Sequence, residues 1–162
     1  GKVVRAKCAG WRVGLISDTH GLVRPEALAA LEGARLIIHA GDVGQPRVIE
    51  ALQAIAPTFA VRGNIDTQDW AAALPLTKAV EVGEVLFWVL HEIAHLDLDP
   101  AAAGFAAVIF GHSHQPSIET RDGVLYVNPG SAGPRRFKLP VTVGRARVSG
   151  RRIQAEIVEL NV

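Results

Sequence analysis

Arg12-Val13-Gly14-Leu15-Ile16-Ser17-Asp18-Thr19-His20-Gly21 is the stretch whose reading decides the fold. Its first half is a short, mostly apolar run, too short for a stable helix and closed by a polar, glycine-ended loop. That pattern predicts a strand buried on both faces, as in a parallel sheet. Downstream, Pro25 to Leu31 starts on proline and continues in good helix formers. Arg35 to His39 reads as a second strand. Pro46 to Ala56 places Val48, Ile49, Leu52 and Ile55 at helical spacing. Thr58 to Val61 is a third strand. The order β-α-β-α-β predicts parallel strands with right-handed crossovers.

The second half follows another pattern. Lys78 to Val82 and Val85 to Leu90 flank the turn Gly83-Glu84. Pro100 to Phe105 is expected to form a short helix, and Ala107 to Phe110 another buried strand. Ser117 to Thr120 and Val124 to Val127 flank Arg121-Asp122-Gly123, and Val141 to Val148 and Arg151 to Leu160 flank Ser149-Gly150. These are hairpin signals. The fold class is therefore α/β of mixed type. One domain over residues 12–162 is expected, built from two packed sheets of mixed direction with helices outside. Residues 1–11 form an expected lead-in.

Of the 162 residues, 49% are hydrophobic, which excludes a disordered chain. A formal net charge of +1 predicts no strong attraction to nucleic acid or to anionic membranes. No apolar run is long enough to span a bilayer, and Gly1 to Gly10 lacks the apolar centre of a secretory signal. The one cysteine, Cys8, excludes an internal disulfide and a cysteine-based zinc site. A cytoplasmic setting is the expectation.

Asp18-Thr19-His20, Gly41-Asp42, Gly63-Asn64 and Gly111-His112-Ser113-His114 each follow an apolar run. Ligands in open α/β sheets bind outside the carboxyl ends of the strands. A His-x-His or Asp-x-His pair on extended backbone points both side chains one way. Carboxylate, amide and imidazole donors without thiolate suit divalent transition metals. Six or seven such donors exceed what one catalytic metal needs; two metals sharing a carboxylate would use them all and would suit phosphoryl chemistry. A helix-capping role for Asp18 and His20 fits poorly, because Pro25 is too far along.

The order Asp-x-His, Gly-Asp, Gly-Asn, His, Gly-His-x-His resembles the calcineurin-like metallophosphoesterase superfamily. Asn128-Pro129-Gly130-Ser131 with Pro134-Arg135 resembles the ending of its small prokaryotic branch, the YfcE-like phosphodiesterases. The resemblance runs from Arg12 to the C-terminus. It implies a four-layer α/β/β/α sandwich. It implies that Asp18, His20 and His114 hold one metal, that Asn64, His91 and His112 hold the other, and that Asp42 bridges them. Manganese is the expected metal, with iron, zinc, nickel and cobalt as alternatives. A metal-bridging water, acidified to hydroxide, would attack phosphorus in line, while Asn64, His112 and the metals stabilise the phosphoryl oxygens. The implied substrate is a small phosphodiester, nucleotide-like or aryl, and no residue identifies which. A phosphomonoesterase, or a protein-binding scaffold with a weakened metal site, are the alternatives. A homo-oligomer is left open.

Two positions depart from the family pattern. Ile65 follows Gly63-Asn64, where many members carry a histidine that serves the leaving group. Glu92 follows His91, where the family has glycine, and would add bulk and charge beside the site. Asp66 and His39 are expected to support ligands rather than bind metal. His95 is expected in a surface loop. Arg62 and Arg135 are read equally as phosphate contacts or as surface salt bridges. Trp11, Trp70 and Trp88 form no stacking platform for single-stranded nucleic acid.

Overall fold

The computed structural model describes residues 10–162; Cys8 and most of the lead-in expected at residues 1–11 lie outside the described residues. In chain order, the elements are β1 (Trp11–Ile16), α1 (Pro25–Leu31), β2 (Leu36–His39), α2 (Pro46–Gln53) and β3 (Thr58–Ala60). There follow β4 (Thr77–Val82), β5 (Val85–Leu90), β6 (Ala107–Ile109), β7 (Ser117–Arg121), β8 (Val124–Asn128), β9 (Thr142–Ser149) and β10 (Arg152–Glu159). Short 3₁₀ turns occupy Asp69–Ala73 and Ile93–His95.

Two five-stranded sheets form, in the orders β10-β9-β1-β2-β3 and β4-β5-β6-β8-β7. In the first, β1, β2 and β3 are parallel, and β9 and β10 close one edge antiparallel. In the second, β5, β6 and β8 are parallel, with β4 and β7 added antiparallel. Both sheets thus contain three adjacent parallel strands, central in the second and running out to the β3 edge in the first. The parallel pairing of β5, β6 and β8 was not expected from a half of the chain that reads as hairpins.

Strand alternation sorts side chains between layers. Val13 and Leu15 of β1, and Leu36 and Ile38 of β2, point inward to Phe87, Val89 and Ile109 of the second sheet. Ile16 and Ile37 point outward to Ala27 and Leu31 of α1 and Val48 and Leu52 of α2. Fully burying each such side chain stabilises the fold by roughly 1.5–3 kcal/mol. The outer face of the second sheet, with Leu90, Val108 and Tyr126, is covered by Ile93, Leu96 and Phe110. Phe105 adds a ring contact to Trp88 at 5.1 Å between centroids. The outermost layer on that side is therefore a loop with one 3₁₀ turn.

Three local readings change. The helix expected over Pro100 to Phe105 is a set of turns, because Gly104 takes a φ of +88° and Phe105 N–H closes back on Pro100 O. The second helix ends at Gln53 rather than Ala56, since Pro57 disfavours helix in the residue before it. β1 begins at Trp11, which pairs with Val148 and lies under the Arg35 guanidinium, 3.7 Å from the ring centre. No helix among the described residues is long and apolar enough to cross a membrane.

Candidate metal centre

The loops after β1, β2, β3, β5 and β6 lie at one edge, the carboxyl end of the parallel strands of both sheets. They carry Asp18 and His20, Asp42, Asn64, His91, and His112 and His114. Backbone bonds continue past the strand ends: Asp18 N–H donates to Gly41 O (3.0 Å), His20 N–H to Asp42 O (3.0 Å), and Gly111 N–H to His91 O (2.9 Å). The third bond ties the two β5 and β6 loops together as the first two tie those of β1 and β2.

Among the described residues, seven non-glycine residues have positive φ, and five of them are here: Asp18 (55°), His20 (49°), Asp42 (57°), His112 (75°) and His114 (64°). Left-handed backbone costs a non-glycine residue about 1–2 kcal/mol, least for polar side chains such as Asp. Strain of this kind persists where surrounding structure over-determines it, and it concentrates at functional sites. Gly41 lets His91 approach: its φ is +102°, and a Cβ there would sit 2.6 Å from His91 Nδ1.

Asp18 is buried, and its two oxygens are used differently. Oδ2 accepts from Ser17 Oγ–H (2.7 Å) and His112 N–H (3.1 Å). Oδ1 has no hydrogen-bond partner, yet it faces His114 Nε2 at 3.4 Å and the Nε2 atoms of His20 and His91 at 3.9 Å. Asp42 Oδ1 accepts from Ile65 N–H (3.0 Å), while Oδ2 faces His91 Nε2 at 3.4 Å and His20 Nε2 at 3.6 Å. Both carboxylates thus lie between His20 and His91.

His91 Nδ1–H donates to Ala40 O at 2.7 Å, which leaves the Nε2 lone pair turned toward the carboxylates. The Asn64 amide lies 3.0 Å from His91 Nε2 and 3.2 Å from His112 Nδ1. Turned oxygen-first, it completes a ring of lone pairs; turned nitrogen-first, it donates to both Asp42 oxygens at 3.3 Å. His20 Nε2 is buried without a hydrogen-bond partner, as is His114 Nδ1. Convergent acceptors with no protons between them fit a cation. Two compact groups stand out, Asp18–His20–His114 and Asp18–Asp42–His91, the ligand atoms in each within 4.8 Å of one another. Asp18 belongs to both, a central position that the motif order does not reveal.

Burial lowers the His20 pKa, and Asp42 and Asp18 oppose it only in part. Burial also works against the charged forms of His91 and Asp42. Their mutual contact outweighs it, with help from Ala40 O and Asp18 for His91 and from Ile65 N–H for Asp42. His91 is consequently raised and Asp42 lowered. A divalent cation competes with a proton for the same His91 lone pair.

The supporting residues lie where the sequence put them. Asp66 accepts from Val43 N–H (3.1 Å) and Gly63 N–H (2.9 Å) through Oδ2, and from Gly44 N–H (3.0 Å) through Oδ1. His39 Nδ1 accepts from Gly41 N–H (3.1 Å), so its proton sits on Nε2 and donates to Thr19 Oγ1 (3.0 Å), which donates to Val43 O (2.8 Å). Arg62 and Arg135 are structural: Arg62 Nε–H donates to Leu74 O, and Arg135 to Leu139 O and Val162 O. Arg136, which the sequence did not single out, is the arginine whose charge reaches His20. Asn128 is a further positioning residue. It donates to Gly111 O (3.2 Å) and Ser113 Oγ (3.1 Å), and Ser131 Oγ–H donates to Asp18 O (3.0 Å).

His39 makes stability pH-dependent. Burial depresses its pKa from 6.5 to about 4. The unfolded chain binds the proton first, so this contribution is complete above pH 6.5 and is lost as pH falls toward 4. The expected loss is up to about 3 kcal/mol. Thermal unfolding in chelator should show His39→Gln losing less stability than the wild type over that range; parallel curves would contradict it.

The model of the calcineurin-like phosphoesterase superfamily domain matches residues 11–151. A probable metallophosphoesterase of Methanothermobacter thermautotrophicus is 31% identical over 161 residues, covering 90% of this chain and 91% of the relative. A phosphodiesterase of Methanocaldococcus jannaschii is 28% identical over 138 residues, covering 74% and 82% respectively. The solved structure of vacuolar protein sorting 29 from Cryptosporidium parvum shares the fold with a TM-score of 0.74 at 18% identity, over 93% of this chain and 98% of that one. With its sandwich of mixed sheets and its cluster of oxygen and imidazole donors at their shared edge, the chain belongs to the calcineurin-like phosphoesterase superfamily.

Proposed function

We propose that this protein is a binuclear metal-dependent phosphodiesterase acting on small, nucleotide-like phosphate diesters. The observation that carries the reading is the convergence of two carboxylates, one amide and four imidazoles at one sheet edge, with buried lone pairs that no donor satisfies. Asp18, His20 and His114 would hold one metal, and Asn64, His91 and His112 the other, with Asp42 between them. Manganese is the metal proposed. Bound divalent cations supply Lewis acidity to the phosphoryl oxygens and lower the pKa of a water. The chain supplies the rest. Ser17 and the His112 N–H fix Asp18 Oδ2 so that Oδ1 faces inward. Ala40 fixes the His91 tautomer. Asn64 and His112, at the exposed mouth, are placed to steady the phosphoryl group. The relative named a phosphodiesterase supports the choice of diesters.

The test is hydrolysis of bis(p-nitrophenyl) phosphate and p-nitrophenyl phosphate by metal-stripped protein with manganese restored. Manganese-dependent turnover, faster on the diester, is expected. Folded protein inert with every transition metal would favour the protein-binding scaffold reading.

Ile65 adds a second expectation. Its side chain is 40% exposed beside Asp42 and has no proton to give. Rates should therefore fall steeply as leaving-group pKa rises. Ile65→His should speed substrates with poor leaving groups by about tenfold or more, the lower range of general-acid effects. A flat dependence in the wild type would show that another acid is present.

A further inference from the structure

Glu92 stands directly after His91, where the family pattern has glycine. Its side chain does not cap the 3₁₀ turn that follows. Instead it lies between two imidazoles: Oε1 is 3.7 Å from His112 Nε2, and Oε2 is 3.6 Å from His95 Nε2. His112 in turn reaches the Asn64 amide through Nδ1 at 3.2 Å. The carboxylate is thus one imidazole ring away from the ligand cluster. It is 30% exposed and His112 is 44% exposed, so both belong to the mouth of the site rather than its floor.

We propose that Glu92 sets the charge selectivity of this site, favouring monoanionic phosphodiesters over dianionic phosphomonoesters. The proposal rests on the phosphoesterase reading above. A diester carries one negative charge, whereas a monoester has a second pKa of about 6 and carries nearly two above neutral pH. Both classes place their phosphoryl group against the same ligands. The second charge of the monoester is repelled by a carboxylate at the rim, and partial desolvation strengthens that repulsion. Glycine at this position would leave the mouth without that charge. His112 and His95 stand on either side of the carboxylate, at the mouth of the site.

The experiment uses the manganese-loaded full chain and two non-hydrolysable probes at mildly alkaline pH: phenylphosphonate, a dianion, and diphenylphosphinate, a monoanion. Calorimetric titration should show Glu92→Gln tightening phenylphosphonate relative to diphenylphosphinate by about tenfold, the effect of one unit charge at several ångström in a partly solvated site. Glu92→Asp should keep most of the wild-type selectivity. The same factor should appear in the kcat/KM ratio of p-nitrophenyl phosphate to bis(p-nitrophenyl) phosphate. An unchanged ratio, an equal change for both probes, or no binding of either probe to the wild type would overturn the proposal. Selective probe binding by a wild type that hydrolyses neither ester would overturn the phosphoesterase reading and leave the charge selectivity of the site standing.

Discussion

Asp42→Asn should abolish manganese-dependent turnover, lowering kcat/KM by at least about 10³-fold, as expected when a central charge of a metal site is removed. The substitution is nearly isosteric. The retained oxygen can still accept from Ile65 N–H at the 3.0 Å position, so the loop after β3 stays anchored. What disappears is the negative charge at Oδ2, between His91 Nε2 at 3.4 Å and His20 Nε2 at 3.6 Å. Two consequences should be measured together. Manganese binding by calorimetry should lose one site or weaken strongly at both, and the His91 pKa should fall, because contact with Asp42 is what holds it up against burial. Retention of full manganese stoichiometry and turnover would show that Asp18 alone joins the two groups.

Gly63→Ala should damage the site as severely by a different route. A Cβ at Gly63 would overlap both the backbone nitrogen and Oδ1 of Asp42. Neither atom can yield cheaply: Asp42 already holds a φ of 57°, and its Oδ1 is engaged by Ile65 N–H. The Gly63 N–H is also one of the donors that hold Asp66. The expected cost is about 3 kcal/mol of stability, the upper range for overpacking a closed site, with metal binding lost as the β2 and β3 loops part. Gly104→Ala is the contrast. Its Cβ would meet nothing within 4 Å, so only its φ of +88° is penalised, at about 1 kcal/mol. Denaturant midpoints of the two variants should separate accordingly, and equal midpoints would mean that the Gly63 contact is relieved by backbone movement.

Much of this arrangement is legible along the chain because its causes are local. Apolar runs of three to six residues ending in Asp, Asn, His or Gly mark strands that pass from core to loop, so the donor residues could be named before their positions were known. His39 and Asp66 were readable as supports because each lies within a few residues of a ligand. Where the reading changed, the cause was long-range for strand pairing and local for the turns. The parallel pairing of β5, β6 and β8 comes from a chain path that crosses over between hairpin-like segments. Pro100 to Phe105 lacked the length for helix once Gly104 turned left-handed. Arg135 and Arg136 are indistinguishable as neighbours in sequence; only packing sent the first to the C-terminal carbonyl of Val162 and left the second near His20.

The sequence by itself determined the donor types, their order and their places at strand ends, because strand periodicity and turn chemistry act over a few residues. The tertiary structure alone decided which atoms face one another. Asp18 Oδ1 became the shared centre of both ligand groups because Ser17 and His112 N–H occupy its other oxygen. Glu92 became a rim charge beside the ligand cluster because the fold brings His112, twenty residues on, to one side of it and His95 to the other. Those contacts join loops from two sheets, and their directions are set by strand pairing and left-handed backbone that no local pattern encodes.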